Sequence, residues 1–124
     1  MSGVDNLLYN KSYSFAIRVV NAYKFLTKEK NEYVLSKQLL RSGTPIGALI
    51  REAKFAQSTA DFINKLSISL KEANETQYWI ELLHDTGYID DTTFKSIYNE
   101  AGELTALLVS IVKTTKLNST TSKP

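Results

Sequence analysis

The sequence has no cysteine, one histidine and only two prolines in 124 residues. Without cysteine, a disulfide framework, a thiolate zinc site and a cysteine nucleophile are all excluded. The single histidine, His84, excludes a metal site built from a histidine pair within one chain. Because Pro45 is the only internal proline and glycine occurs five times, nearly all of the chain can remain in long regular elements.

Long apolar runs are also absent. No run approaches the roughly 20 residues that a membrane helix requires. The first ten residues lack the basic segment and the apolar segment of a signal peptide. We therefore expect no membrane partner and a cytoplasmic location. The length fits one domain with a core large enough for independent folding.

Four segments carry apolar or small residues at steps of three and four, the spacing that keeps one stripe on one side of a helix. The stripes are Leu8, Phe15, Val19, Ala22 and Leu26; Leu35, Leu39, Ser42, Ile46, Leu49, Ala53 and Ala56; Phe62, Leu66, Ser69, Ala73, Thr76, Ile80 and Leu83; and Phe94, Ile97, Ala101, Leu104, Leu108 and Ile111. They predict an all-α fold, an antiparallel up-and-down four-helix bundle. The predicted bundle domain spans 1–113, with helices at 6–28, 32–57, 59–86 and 91–113, and the polar residues 114–124 predict a flexible tail.

Residues typical of helix ends stand at the predicted boundaries. Gly87 suits the left-handed conformation that follows a helix C-terminus. The candidate N-caps are Asn31 for the second helix, Ser58 with Asp61 in a capping box for the third, and Asp90 or Asp91 for the fourth.

The second helix contains a segment that disfavours helix, from Ser42 to Gly47. Pro45 lacks the N–H group and crowds the carbonyl of Arg41, and Gly43 lowers helix propensity by about 1 kcal/mol relative to alanine. The apolar spacing nevertheless continues without a phase change. We expect one helix kinked near Pro45, with Gly43 and Gly47 allowing another backbone to approach closely. Two separate helices are the alternative.

No catalytic or metal-binding constellation is recognisable. His84 lies at the margin of the third stripe and is interpreted as a boundary residue rather than a general base. Glu72 and Glu75 lie three residues apart, as do Glu81 and His84, but a metal site would need ligands from other helices. Solvated charge is the favoured interpretation. We expect no enzymatic activity, no metal and no cofactor.

The net charge of +2 is unevenly distributed. Residues 1–71 hold eleven Lys/Arg and five Asp/Glu, a net charge of +6, whereas residues 72–124 hold four and eight, a net charge of −4. Such an asymmetry can attract polyanions, or it can be neutralised across packed helices or between subunits. The candidate phosphate-binding side chains are Lys11, Arg18, Lys37, Arg41, Arg51 and Lys54. Tyr13 and Tyr33 would add stacking surfaces if they are exposed.

Two stretches carry a family resemblance. The first is Gln38-Leu39-Leu40-Arg41-Ser42-Gly43-Thr44-Pro45-Ile46-Gly47, continuing to Ile50-Arg51-Glu52-Ala53. The second is Asp61-Phe62-Ile63-Asn64-Lys65-Leu66, followed by residues 69–79. Together they resemble the bacterial four-helix-bundle family of proteins encoded in ribosomal-RNA intervening sequences, which is related to the accessory proteins of diversity-generating retroelements. The resemblance covers roughly residues 7–112.

The resemblance implies a four-helix protomer that assembles into a ring-like homo-oligomer, commonly a pentamer, with a basic surface. It also implies a binding role, because retroelement members associate with nucleic acid and a reverse transcriptase. Expected partners are therefore a second copy of the chain, RNA or DNA, or another protein. The family usually has Ser in place of Pro45 and Asn in place of Leu49. The matching residues interpreted as contacts between helices or subunits are Gln38, Glu52, Lys71, Glu72, Glu75 and Trp79.

Overall fold

Five helical segments make up the computed structural model, which describes residues 3–121. They are α1 (Gly3–Glu29), α2 (Leu35–Gly43), α3 (Pro45–Ala53), α4 (Thr59–Asp85) and α5 (Asp91–Thr121). Because α2 and α3 pack on the same neighbours, they occupy one position in the bundle. The predicted all-α four-helix bundle is therefore confirmed.

The helices follow one another around the bundle in chain order. α1 packs on α2, α3 and α5, and α4 packs on the same three segments. Within residues 3–121, no Cα atom of α1 lies within 8 Å of one in α4, and the same holds for α5 with α2 and α3, so these are the diagonal pairs. Short connections make consecutive helices antiparallel neighbours.

The core consists mostly of the predicted stripes, but Ile50 rather than the predicted Leu49 is buried in the second one, and Val112 is an additional core residue. Side chains that are at most 1% exposed include Phe15, Val19, Leu26, Leu39, Ile46, Leu66, Ile80, Leu83, Leu104 and Leu108. Each such burial contributes about 1.5–3 kcal/mol relative to an exposed side chain, so the four stripes drive folding. The polar stripe members Ser42, Ser69 and Thr76 are fully buried as well.

Hydroxyl groups link α4 to the second bundle helix. The Ser69 hydroxyl donates to the carbonyl oxygen of Ile46 at 2.9 Å, and the hydroxyl oxygens of Thr76 and Ser42 lie 2.9 Å apart. The Thr76 hydroxyl also lies 2.7 Å from the carbonyl oxygen of Glu72. Because these bonds satisfy the hydroxyl groups, small polar side chains can stand in the core without a desolvation penalty.

Gly43 marks the closest approach of α1 to α2. A Cβ atom placed there would lie 2.8 and 2.9 Å from the two methyl carbons of Val19, closer than carbon atoms pack. At Gly47 a Cβ would lie 3.3 Å from the Ser12 hydroxyl and 3.5 Å from the Ser12 backbone. The expected close approach is therefore present at both glycines.

The interruption at Pro45 is confined to Thr44. This residue keeps right-handed helical torsion angles (φ −76°, ψ −35°), and its N–H donates to the carbonyl oxygen of Leu40 at 3.2 Å. Pro45 is the first residue of α3, where the absence of an N–H group costs little. The second bundle helix thus consists of two segments joined by a single helical residue.

Three of the predicted helix ends are confirmed. Ser58 caps α4 by accepting a 3.0 Å bond from the Asp61 N–H, and Asp90 caps α5 by accepting a 2.7 Å bond from the Thr93 N–H. Gly87 has φ +86° and closes α4, with Tyr88 N–H donating to the carbonyl of Leu83 at 2.9 Å.

The prediction that Asn31 caps the second helix is wrong. Asn31 adopts a left-handed conformation (φ +52°) in the turn after α1. The buried carboxylate of Glu32 caps α2 instead, accepting bonds of 2.9, 2.7 and 3.1 Å from the N–H groups of Leu35, Ser36 and Val34. A carboxylate with two oxygens can serve three orphan donors, whereas an Asn side chain has one acceptor oxygen.

Four predicted helix bounds differ from the structure by more than one residue. The first helix begins at Gly3 rather than residue 6, and the second bundle helix begins at Leu35 rather than residue 32. The second bundle helix ends at Ala53 rather than residue 57. The N–H groups of Phe55 and Ala56 donate to carbonyl oxygens three residues earlier instead of four, as in a 3₁₀ turn. The fourth bundle helix does not end at 113 but continues to Thr121, so residues 114–121 are helical rather than a flexible tail. Within this extension, the Thr115 hydroxyl donates to the Ile111 carbonyl at 2.7 Å. Residues 122–124 of the predicted tail lie outside the described residues.

Gly43→Ala should destabilise the protein by up to about 2 kcal/mol. The new methyl group overpacks against Val19, at a cost of about 1–3 kcal/mol, and the better helix propensity of alanine offsets about 1 kcal/mol of it. Urea unfolding would measure the change. Gly102→Ala is the matched control: its Cβ would lie 3.7 Å from Gln77, an ordinary contact, so it should be stabilising. Equal effects of the two substitutions would contradict the close approach.

Glu32→Gln should cost about 1 kcal/mol at neutral pH, the usual magnitude of a lost cap. Burial raises the pKa of Glu32, but the N–H groups of Leu35, Ser36 and Val34 outweigh it and hold the pKa below its ordinary value. Because the folded-state pKa is depressed, the stabilisation is present above about pH 4.3 and is lost as the pH falls through the folded-state pKa.

Urea unfolding of the unmodified protein and of Glu32→Gln, from neutral pH to below about pH 4, would test this prediction. The difference in unfolding free energy should shrink on acidification. Glu29→Gln, which removes the same charge from an exposed side chain near the end of α1, is the control. A difference that does not change with pH would show that the charge of Glu32 has no part in the cap.

Candidate functional site

A cluster of four polar and aromatic side chains lies on the face shared by α2 and α4. The Arg41 Nε donates to the Gln38 side-chain oxygen at 2.8 Å, and its terminal nitrogen donates to the Glu75 carboxylate. The Trp79 indole N–H donates to the same Glu75 oxygen at 3.2 Å. Spacings of three and four residues place Gln38 beside Arg41 and Glu75 beside Trp79, so each helix contributes two adjacent side chains to the cluster.

Glu75 is the centre of this cluster. The indole N–H of Trp79 and the guanidinium of Arg41 hold the pKa of Glu75 below its usual value, while partial burial acts in the opposite direction. Glu75 is therefore charged at neutral pH, and it neutralises Arg41. An exposed ion pair of this kind contributes less than about 1 kcal/mol, so its main effect is to orient Arg41 and Trp79.

A second group of basic residues lies on the face shared by α1 and α5. Lys11 pairs with Glu103 at 2.6 Å. Arg18 pairs with Glu100 at 2.8 Å and donates a second bond of 2.8 Å to the Ser96 hydroxyl. The excess positive charge of α1 is thus matched by carboxylates of α5, as one interpretation of the charge asymmetry expects.

The third group lies where α3 ends beside the first turns of α1. The Arg51 guanidinium carbon lies 5.1 Å from the centre of the Tyr9 ring, and Arg51 also donates to the Tyr9 hydroxyl. The Lys54 ammonium lies 5.9 Å from the same ring centre. Both distances fall in the range of cation–π contacts. Among the described side chains, neither cation has a carboxylate partner.

The six candidate phosphate-binding residues therefore do not form one surface. α1 and α4 are diagonal in the bundle, so the α1–α5 face with Lys11 and Arg18 lies opposite the α2–α4 face with Arg41. Lys37 is exposed on α2. Within the described part of the chain, Lys37, Arg51 and Lys54 are the candidates without a carboxylate partner.

The six residues interpreted as contacts between helices or subunits fall into two sets. Glu52 joins α3 to α4 through Lys65 at 3.2 Å, and Glu75 joins α4 to α2 through Arg41. The other four lie on α2 or α4 around Glu75: Gln38, Lys71, Glu72 and Trp79. Contacts between subunits remain a prediction for all six.

Sequence analysis missed three partners in these clusters. The Tyr9 ring contacts Arg51, and Glu100 and Glu103 form ion pairs with the cations of α1. The spacing of Glu100 and Glu103 was an available signal, because residues three apart share a helix face. Tyr9 gave no such signal, since its contact with Arg51 spans 42 residues of sequence.

His84 joins the end of α4 to the start of α5. Its Nε2 lies 2.6 Å from an Asp91 carboxylate oxygen and its Nδ1 lies 3.0 Å from one of Asp85. Its ring stacks on Phe94 with a centroid distance of 4.2 Å. The hydrogen bond to Asp91, followed by that to Asp85, raises the pKa of His84 above its ordinary value. The imidazole ring therefore links the two helix ends, in agreement with its interpretation as a boundary residue.

Within the part of the chain that the structure describes, no group of three or more His, Cys, Asp or Glu residues is arranged to hold a metal ion. In the same residues, no helix has both the length and the apolar character needed to cross a membrane.

The fold and its surface clusters define a class of protein: a helical bundle in which ion pairs and hydrogen bonds between polar side chains link neighbouring helices. The chain belongs to the family of 23S rRNA-intervening sequence proteins, whose model matches residues 4–110. The predicted family resemblance is thereby confirmed, and the match points to no enzymatic family.

A solved relative agrees with this assignment. The crystal structure of a protein of unknown function from the S23 ribosomal protein family of Bacteroides thetaiotaomicron VPI-5482 is 60% identical to this chain. The similarity covers 89% of this chain and 98% of that chain, with a TM-score of 0.87. Among curated proteins, none matches the chain.

Asp91→Asn should lower the pKa of His84 towards its ordinary value, because Asp91 is the largest cause of the shift. Nuclear magnetic resonance would follow the ring protons, and the single histidine makes the assignment unambiguous. Because the folded-state pKa is raised, the stabilisation is fully present below about pH 6.5 and is lost as the pH rises through the folded-state pKa. Asp85→Asn should produce a smaller decrease. An unchanged pKa in Asp91→Asn would contradict the link.

Proposed function

We propose that the protein is a non-enzymatic, oligomeric helical bundle that binds RNA or DNA through exposed basic side chains, largely without sequence specificity. The observation that carries the proposal is the set of Lys37, Arg51 and Lys54. These cations belong to the basic first part of the chain and have no carboxylate partner among the described residues. Unpaired cations of this kind neutralise phosphates and release counterions, which favours binding of any nucleic acid.

RNA is included among the proposed partners because of the relatives' names, which themselves state no binding partner. The matching family is named for an intervening sequence of 23S rRNA, and the solved relative for a ribosomal protein family. The ion pairs of Lys11, Arg18 and Arg41 argue for a smaller binding surface than the full set of six residues would form.

Assembly is the second part of the proposal. A homo-oligomer, with a pentamer as the expected form, follows from the family resemblance. Light scattering coupled to size-exclusion chromatography would test it, and a monomer at micromolar concentration would contradict it.

Binding should be tested by fluorescence anisotropy with labelled RNA and DNA oligonucleotides over a salt series. We expect the logarithm of the affinity to fall linearly with the logarithm of the salt concentration. Combined Lys37→Gln, Arg51→Gln and Lys54→Gln should reduce this slope by about 2–3, since each lost phosphate contact accounts for about 0.7–0.9.

The matched control removes three other exposed cations: Lys28→Gln, Lys95→Gln and Lys113→Gln. It changes the net charge equally and should alter the slope less. If the unmodified protein shows no binding at low salt, the nucleic-acid proposal fails.

A second candidate function is a protein-interaction scaffold or an accessory subunit, for example of a reverse transcriptase. It is favoured by Tyr13 and Ile17, which are exposed on α1, and by Tyr78, which is exposed beside Trp79 with a ring-centroid distance of 5.0 Å. Exposed aromatic residues with arginine nearby are common in protein interfaces. A pull-down that recovers a protein partner after nuclease treatment would favour this candidate, and one that recovers only nuclease-sensitive associations would count against it.

A further inference from the structure

A groove of about 790 Å³ runs between α1 and α3 and reaches the start of α4. Its lining includes the small residues Ala16, Gly47 and Ala48 and the aromatic side chains of Tyr9, Tyr13 and Phe55. We call it the α1–α3 groove. Small residues leave room for a flat group, and aromatic side chains offer faces on which it can stack.

Phe55 is the most exposed large apolar residue of the described chain, with 77% of its surface accessible, and Tyr13 is 58% exposed. Phe55 follows the end of α3, where the turn places it on the rim of the groove instead of in the core. An apolar ring held in solvent this way gains free energy when a planar partner covers it.

Two cations, Arg51 and Lys65, and two carboxylates, Glu52 and Asp61, line the groove. Arg51 lines it, and the bond to the Tyr9 hydroxyl fixes the guanidinium over the Tyr9 ring while leaving other N–H donors directed elsewhere. Lys54 lines the neighbouring cavity rather than the groove, and its ammonium lies 5.9 Å from the centre of the same ring. The nearby carboxylates are engaged: Glu52 pairs with Lys65, and Asp61 accepts from the Gln57 N–H at 3.3 Å.

We propose that the α1–α3 groove binds single-stranded nucleic acid, with an unpaired base stacked on Phe55 and the adjoining phosphates held by Arg51 and Lys54. This inference rests on the proposed function and specifies the strand type and the site. Aromatic faces beside fixed cations match the alternation of base and phosphate along a single strand. The bases of a duplex are paired and stacked on one another, so a duplex can use the cations but not the Phe55 ring.

The test compares a single-stranded oligonucleotide of about 12 nucleotides, as RNA and as DNA, with a duplex of the same sequence. Phe55→Ala should weaken single-strand binding by about 5- to 100-fold, the effect of losing one stacked base, and leave duplex binding nearly unchanged. Phe55→Trp, which keeps an aromatic face for stacking, should bind the single strand about as tightly as the unmodified protein. Ultraviolet crosslinking should attach the oligonucleotide to the peptide that contains Phe55.

Phe25→Ala is the matched control. Phe25 is also exposed and also has a cation over its ring, with Lys30 at 5.7 Å from the centroid. It lies on the other side of the molecule, beside Arg18 and Tyr88. This substitution should leave single-strand binding within about 2-fold of the unmodified protein, well below the effect of one stacked base.

The outcomes separate the two proposals. No binding of either strand type by the unmodified protein overturns the proposed function and this inference together. Binding that Phe55→Ala and Phe25→Ala affect equally overturns this inference alone. A change of oligomeric state in Phe55→Ala, measured by light scattering, also overturns it, because the groove would then be an interface between subunits.

Discussion

The structure depends on the tight placement of the second bundle helix between α1 and α4. On one side, Gly43 leaves no space for a side chain against Val19. On the other, Ser69 and Thr76 reach the second helix with hydroxyl bonds to Ile46 and Ser42. Small residues permit short distances between helices, and the hydroxyl bonds fix the register that apolar contacts alone leave adjustable.

This placement also determines the surface. Because α2 lies close to α4, Arg41 meets Glu75, and Glu75 also accepts a hydrogen bond from the Trp79 indole. Because α3 lies close to α1, Arg51 meets Tyr9 and forms one wall of the α1–α3 groove. The break at Thr44 separates these two environments along one bundle position. Both surface clusters are therefore consequences of how the second helix packs.

Charge neutralisation explains why a basic sequence does not produce a uniformly basic surface. The α1 cations Lys11 and Arg18 are matched by carboxylates from the acidic part of the chain. Exposed pairs of this kind add little stability, but they remove positive charge from the field that a polyanion meets. Among the six candidate cations, the unpaired Arg51 and Lys54 lie at the end of α3, where aromatic side chains are also exposed.

The sequence by itself determined the helices, the buried stripes and most caps, because these depend on spacing and on residues within one turn. Even the buried Ser42, Ser69 and Thr76 were placed correctly by periodicity. Local rules gave the wrong result at two places. Glu32 rather than Asn31 caps α2, and α5 continues through the polar residues after 113.

Only the tertiary structure decided which charges meet and which remain free. Arg41 and Glu75 lie 34 residues apart, and Lys11 and Glu103 lie 92 apart. No local pattern encodes such pairs, because they follow from the order of the helices around the bundle and from the rotation of each helix about its axis. That is why six equivalent cations in the sequence became three neutralised ones, an isolated lysine and a pair beside an aromatic groove.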